Sequence, residues 1–289
     1  MKKLKKRLKV DKMLINPKFA FEKAMNYNFA IPSTNFIDAM TLCAYLEVAE
    51  EEKLPIIISI AESHIQYIDF DDAVLLAKYY INKYNVKAIL HLDHGQSFDL
   101  IKKAIDSGFN SVMIDASSKP FEENVRITKE IVDYAHERGV FVESEIGHVG
   151  SGDLVGLSCS ADDDNIYTTV EEALEFAKLT NTDSLAISIG TVHGNYIGEP
   201  KINFERLREI REKLSIPLVL HGGSSSGDEN LNRCAKEGID KINIYTDFIV
   251  AGQKATSSEV DYHENKKNVK NAIKDKLRHY FKVFETKEV

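Results

Sequence analysis

Three histidines, each followed directly by glycine, mark where this chain could do chemistry: His94 before Gly95, His193 before Gly194 and His221 before Gly222. Each closes or follows an apolar run, ILHLDHG at 89–95, DSLAISIGTVHG at 183–194 and IPLVLHG at 216–222. A buried strand rarely ends on ionisable groups unless these are hydrogen-bonded or reactive. Three imidazoles with one coordination position left open are the ligand set of a catalytic zinc; a structural zinc is closed by four protein ligands. The glycines leave room for a substrate and let the chain turn away sharply. Asp93 adjoins His94, so one strand end would deliver a metal ligand and a proton-transferring carboxylate together. His91 lies two residues earlier on the same pleat side, deeper, in a packing or supporting role. Asp115 after the next apolar run and Glu145 in VFVESEI add carboxylates at further strand ends.

A second constellation follows the third of these histidines. HGGSSSG (221–227) and NIYTD (243–247) are turns rich in exposed backbone N–H groups, with hydroxyls at Ser224 and Thr246. Such turns, with a helix N-terminus nearby, bind phosphate. The plainer alternative is two polar turns of ordinary composition.

The elements that must position these groups recur along the whole chain. Apolar, β-branched runs occur at 29–33, 55–61, 86–94, 110–116, 140–146, 183–190, 216–222 and 239–245. Helical patterns lie between them at 38–52, 70–84, 97–107, 122–138, 169–179, 204–214 and 228–237. Eight strands alternating with helices, without a compositional break, predict one single-domain α/β fold, a (β/α)₈ TIM barrel. An open doubly wound sheet is disfavoured, because no Gly-x-Gly-x-x-Gly follows the first strand. In a barrel the site lies at the C-terminal ends of the strands, where the polar residues fall. Residues 1–11 read as a basic N-terminal extension, and 12–289 as the barrel with a C-terminal helical segment. The stretch Gly147–Thr168 is long enough to be a lid or binding loop.

Composition excludes several other functions. A net charge of −8 argues against a broad nucleic-acid or anionic-membrane surface. The opening KKLKKRLKV lacks the apolar core of a secretory signal. No apolar stretch nears the roughly 18 residues needed to span a bilayer. Cys43, Cys159 and Cys234 are odd in number and far apart, which suits a reducing cytoplasm.

In this order, AIPSTN, HLDHG, SVMIDASSKPFEENV, VESEIGHVG, DSLAISIGTVHGNYIGEPKINFERL, IPLVLHGGS and KINIYT resemble the class II, zinc-dependent fructose-bisphosphate aldolase family, which includes tagatose-bisphosphate aldolases. The resemblance runs from about Lys12 to Asp247. It implies that His94, His193 and His221 bind one catalytic Zn²⁺ per chain, with Asp115 and Glu145 in a secondary metal position. It implies that Asp93 is the acid/base on the hydroxyl that becomes the aldehyde. Asn35, Gly194, Gly222, Gly223, Ser224, Asn243 and Thr246 would hold the phosphate and the dihydroxyacetone portion, with room for a monovalent cation. A cytoplasmic homodimer or homotetramer acting on a phosphorylated sugar in glycolysis or related carbohydrate metabolism is the implied setting.

Three departures from the family pattern stand out. After the fifth strand the family carries two glycines and an acidic pair, whereas this chain reads VGSGDLVG, leaving Asp153 as the second acid/base. A hydroxyl residue often follows the second strand; here it is Ala61 in SIAESH. Where the C-terminal segment often carries a phosphate-binding arginine, EVDYHENKKN offers only lysines, which are point charges and not bidentate forks. Two other readings stand beside the aldolase, the first favoured by the missing acidic pair. One is a metal- and phosphate-binding barrel without turnover, acting as sensor or assembly subunit. The other, a zinc hydrolase, is disfavoured, since such barrels commonly begin with His-x-His on the first strand and the first strand here ends AIPSTN.

Overall fold

The eight apolar runs become strands: β1 Ile31–Asn35, β2 Ile56–Ala61, β3 Ala88–Gly95, β4 Ser111–Ile114, β5 Phe141–Ile146, β7 Ser184–Ile187, β9 Leu218–Leu220 and β10 Lys241–Asn243. They pair in parallel and close in the order β1-β10-β9-β7-β5-β4-β3-β2, the single-domain (β/α)₈ barrel that the sequence predicts. Two short strands, β6 Gly150–Ser151 and β8 Val192–His193, form a separate parallel pair. The computed structural model describes residues 14–147, 150–151, 167–193 and 201–289, with backbone alone for 150, 151, 192 and 193. The basic extension 1–11 and most of the 147–168 loop lie outside these residues.

Helices surround the ring: α1 Pro17–Tyr27, α2 Ala39–Glu52, α3 Phe70–Tyr84, α4 Phe98–Ser107, α5 Phe121–His136, α6 Val170–Thr180, α7 Phe204–Lys213, α8 Asp228–Glu237, α9 Thr246–Lys254 and α10 Tyr262–Val283. Several start on a short polar side chain that accepts an otherwise unpaired backbone N–H, as at Asp38, Asp69, Ser97, Thr169, Asn203 and Asp261. The helices were expected between the strands, with a helical segment after the last. The helix before the first strand, α1, was not.

Period-two alternation divides each strand between two environments. One set, including Ile56, Ile58, Ile60, Leu90, Leu92, Val112, Val142 and Leu185, packs outward against the helices in one continuous core. The other set faces the barrel interior, which is layered. At the N-terminal ends Ile31, Ile57, Ile89 and Phe141 form a separate apolar cluster with Ala20, Phe21 and Ala24 of α1. Above it lies a polar layer in which Ser33 pairs with Ser59 and His91 with Ser111. Above that, Asn35, Asp93, Glu145 and Asn243 line a pocket. Helix α1 is therefore the floor of the barrel, and its Phe21 ring stacks on Phe141 with centroids 5.1 Å apart.

Phe21→Ala should destabilise the protein by about 3–5 kcal/mol, the usual cost of deleting a buried aromatic ring. Equilibrium urea unfolding checks this; a loss under about 1 kcal/mol would mean that α1 is not a structural floor.

Candidate active site

A cavity of about 620 Å³ opens at the C-terminal ends of the strands. Regular alternation would point Asp93 into it and His94 away from it. The chain resolves this at the backbone. The register of β3 against β4 shifts between Leu92 and Gly95, and His94 takes a left-handed conformation with φ of 49°. That conformation costs a residue with a Cβ roughly 1–2 kcal/mol, and here it brings two consecutive side chains to one pocket. Gly95 must be glycine, because an added Cβ would lie 2.8 Å from the Met113 carbonyl.

His94 and His221 meet with His94 Nε2 and His221 Nδ1 3.0 Å apart. Each ring's other nitrogen faces a carboxylate: His94 Nδ1 stands 2.8 Å from Asp115, and His221 Nε2 3.0 Å from Glu143. Those partners place an N–H on the outer nitrogen and turn the lone pairs inward. Asn243 supports this assignment, since its amide, 3.2 Å away, donates to His221 Nδ1. At this spacing the two inner nitrogens share either a proton, with His94 Nε2 donating to His221 Nδ1, or a metal ion that takes the proton's place. Nitrogens bound to one tetrahedral zinc at about 2.0–2.1 Å stand roughly 3.3 Å apart, close to the observed spacing. Burial opposes a charge on His94, but the carboxylates of Asp93, Asp115 and Glu145 hold its pKa up at about 9. His221 is shifted the other way, by burial and by the charge of His94.

Glu143 is itself held from below. The buried Lys241 Nζ donates to its two oxygens at 2.8 and 2.7 Å and to His91 Nε2 at 3.1 Å. His91 Nδ1 then carries the proton and donates to Ser111 Oγ at 2.8 Å. Burial, and then the lysine charge, drive the His91 pKa down to about 3, so the ring is neutral. His91 thus has the supporting role expected of it. Lys241 and Glu143 were not anticipated, although Glu143 lies two residues before Glu145 and so on the same face of β5.

The pocket offers two donor groups. Ligand atoms of Asp93, His94 and His221 all lie within 4.8 Å of one another, as do those of His94, Asp115 and Glu145. Glu145 is buried, and its Oε2 has no hydrogen-bond partner among the described residues. Burial, with the nearby charge of Asp115, raises its pKa to about 8. Asp93 behaves oppositely: burial would raise its pKa, but His94, His221 and Lys241 hold it far below the carboxylate range. Its two oxygens accept from Asn35 Nδ2 at 3.0 Å and Asn243 Nδ2 at 2.9 Å. The carboxylate is therefore ionised and fixed in orientation.

The glycine-rich turns divide their tasks. Gly223 spends its N–H on the Asn243 carbonyl at 3.1 Å. Its contribution is closeness, for a Cβ would lie 2.7 Å from Ile242 Cγ2 and 2.8 Å from the Asn243 carbonyl. Gly222 takes a φ of 68° that glycine alone adopts freely. Ser224 Oγ accepts the N–H groups of Tyr245 and Asp247, both at 3.3 Å, and ties the two turns together. The backbone N–H groups of Ser224 and Thr246 have no partner among the described residues. Thr246 opens α9, so the helix dipole adds to this corner.

Two of the three predicted histidines are thus brought together with Asp93, and Asn35, Asp115, Glu145, Gly222, Gly223, Ser224, Asn243 and Thr246 line the same pocket. His193 ends β8, paired in register with Ser151, but its side chain lies outside the described residues. Asp153 and Gly194 lie outside them entirely.

The family model for class II fructose-bisphosphate aldolase matches residues 15–288. The chain is 42% identical over 247 residues to a fructose-bisphosphate aldolase of Geobacillus stearothermophilus, covering 84% of each. The crystal structure of the YdjI aldolase of Escherichia coli K12 superposes with a TM-score of 0.83 at 34% identity, covering 94% of this chain and 97% of that one. A fructose-bisphosphate aldolase from Campylobacter jejuni repeats the fold at a TM-score of 0.79 and 22% identity, covering 94% of this chain and 95% of its own. The matched family implies a divalent metal, and the inward lone pairs of His94 and His221 beside Asp93 are suited to hold one.

Two predictions follow from this geometry. Glu143→Gln should weaken divalent-metal affinity about 10- to 100-fold, as loss of a ligand's hydrogen-bond partner does, measured by Zn²⁺ competition with a chelator. Unchanged affinity would remove Glu143 from any role in orienting His221. The second concerns pH. The folded protein keeps a proton on Glu145 between pH 4.5 and about 8, where the unfolded chain has lost it. This group's contribution to stability therefore falls as pH rises through that window. Chelator-treated Glu145→Gln should gain stability relative to the unmodified chain between pH 4.5 and 8, read by urea unfolding; a pH-independent difference would contradict the shift.

Proposed function

Because the chain belongs to the class II fructose-bisphosphate aldolase family, we propose that it is a zinc-dependent aldolase that cleaves a ketose phosphate and releases dihydroxyacetone phosphate, and condenses the two halves in reverse. The observation that carries this reading is the junction of Asp93, His94 and His221, whose ligand atoms lie within 4.8 Å of one another beside unspent backbone donors.

Cleavage breaks the bond between a hydroxyl-bearing carbon and the carbon next to the ketone. Asp93, ionised and held by Asn35 and Asn243, accepts the hydroxyl proton as that carbon becomes an aldehyde. The electron pair of the broken bond passes to the ketone half, and the divalent ion, when bound, supplies the Lewis acid that stabilises the resulting oxyanion. No lysine Schiff base is needed. The N–H groups of Ser224 and Thr246 are suited to hold the phosphate of that half, fixing the reacting carbon against Asp93. We assign return of the proton to that carbon to Asp153, from its sequence position after β5. His193 is assigned as the third imidazole on the metal. A cytoplasmic homodimer or homotetramer in carbohydrate metabolism is the setting this reading supports; the two described cysteines, Cys43 and Cys234, are free.

The loss of the family's acidic pair favours one competing reading, a barrel that binds metal and triose phosphate without turnover. Exchange of the carbon-bound proton of dihydroxyacetone phosphate into deuterated water separates the two, since only the aldolase supports it.

Asp93→Asn should keep one zinc per chain yet lose about 10²- to 10⁴-fold of its cleavage rate, the usual contribution of a positioned acid/base. A coupled assay for triose phosphate, with metal content measured alongside, decides this. Near-full activity in that variant, or activity that survives chelation, would refute the mechanism.

A further inference from the structure

The loop after β2 forms a wall of the pocket to which the mechanism assigns no role. A 3₁₀ turn spans Glu62–His64. The loop is anchored on both sides. Glu62 Oε2 accepts the Gln96 N–H at 2.8 Å, and the His64 ring packs on Tyr245 with centroids 4.7 Å apart. The His64 carbonyl accepts the Tyr67 N–H at 2.9 Å, so the backbone that carries the ring is itself held. His64 is thus mounted on a rigid element and is joined, through Tyr245, to the turn that supplies Thr246. It reaches the pocket three residues beyond Ala61, which has no hydroxyl to offer.

The state of this ring follows from its surroundings. Burial lowers its pKa, so it is neutral. Nδ1 is buried and has no hydrogen-bond partner among the described residues. An unpaired lone pair is less costly there than an unpaired N–H, so the proton sits on Nε2, leaving that nitrogen as the donor. The wall around it has a definite charge. Its described lining includes the carboxylates of Glu62, Asp93 and Asp115, and no lysine or arginine. A second phosphate at this end would meet Glu62 with no cationic side chain among the described lining residues.

We infer that His64 is a specificity-determining residue that donates from Nε2 to a hydroxyl or carbonyl oxygen of the substrate's aldehyde half, and that this half is hydroxylated and uncharged. The inference rests on the aldolase reading and extends it, since it makes the preferred substrate a ketose monophosphate whose one phosphate lies on the dihydroxyacetone side.

Condensation of dihydroxyacetone phosphate with glyceraldehyde, propionaldehyde and glyceraldehyde 3-phosphate, in the zinc-loaded protein, tests this. The protein should favour glyceraldehyde over propionaldehyde in kcat/KM, and His64→Ala should reduce that ratio roughly 5- to 10-fold, the worth of one hydrogen bond. His64→Gln, which keeps an amide donor at similar reach, should restore part of the ratio and guards against a misfolded alanine variant. An unchanged ratio in both variants would overturn the role of His64. A preference for glyceraldehyde 3-phosphate over glyceraldehyde would overturn the uncharged assignment. No condensation with any aldehyde, together with no deuterium exchange into dihydroxyacetone phosphate, would remove the aldolase reading and this inference with it.

Discussion

Two imidazole nitrogens 3.0 Å apart must share a proton or a metal ion, and the pocket is organised around that requirement. Both histidines keep an N–H on the outer nitrogen, so an inner proton is the one a metal ion would displace. Asp115 holds the outer nitrogen of His94 and Glu143 that of His221, so the ring orientations are set before any ion arrives. Asn243 then joins the metal side of the pocket to the proton-transfer side, because one amide nitrogen reaches both His221 and Asp93. The proposed ligand pair and the proposed acid/base are thereby locked in one frame. That is the preorganisation by which positioning lowers a barrier without being re-established at each turnover.

The phosphate recognition proposed for the other corner would use backbone and not side-chain charge. Among the described lining residues no lysine or arginine faces the pocket, while Ser224 and Thr246 present unspent N–H groups at the start of α9. Donors of this kind cost no side-chain entropy and sit at the positive end of a helix dipole. Gly223 serves that corner indirectly: it has no space for a Cβ because Ile242, Asn243 and Ile244 at the adjoining turn pack against it, which brings the two turns together.

Much of this could be read from residue order, for reasons that also define what could not. Eight apolar runs separated by helical patterns specify a barrel, since strands covered by helices need little else. The strand-end residues Asp93, His94 and His221 stand out because burial normally excludes such groups. Helix α1 is not legible in the sequence because its apolar side, Ala20, Phe21 and Ala24, is narrow and packs on the strand residues Ile31, Ile57, Ile89 and Phe141. The backbone turn at His94 could not be foreseen, for nothing in LDHG says which of two adjacent side chains breaks alternation. Glu143 and Lys241 are 98 residues apart, and a lone charge inside an apolar run does not name its partner. The pairing is a property of the closed barrel.

That buried pair bears on how the interior divides its work. Lys241 and Glu143 are each 1% exposed, and removing two charges from water costs several kcal/mol per ion before their attraction offsets it. Well-packed apolar side chains of similar volume would commonly be as stable or more so. The apolar floor of Phe21, Ile31, Ile57, Ile89 and Phe141 shows that the chain can fill the barrel in that way. One layer higher it does not. The difference is that Glu143 at this height must stay an ionised acceptor for His221 Nε2, and a carboxylate in a dry barrel keeps its charge only beside a cation. Lys241 supplies that cation, and its third contact fixes the neutral His91 below Asp93. The polar layer therefore serves the site and not the fold, and its energetic cost falls to the apolar layer beneath it.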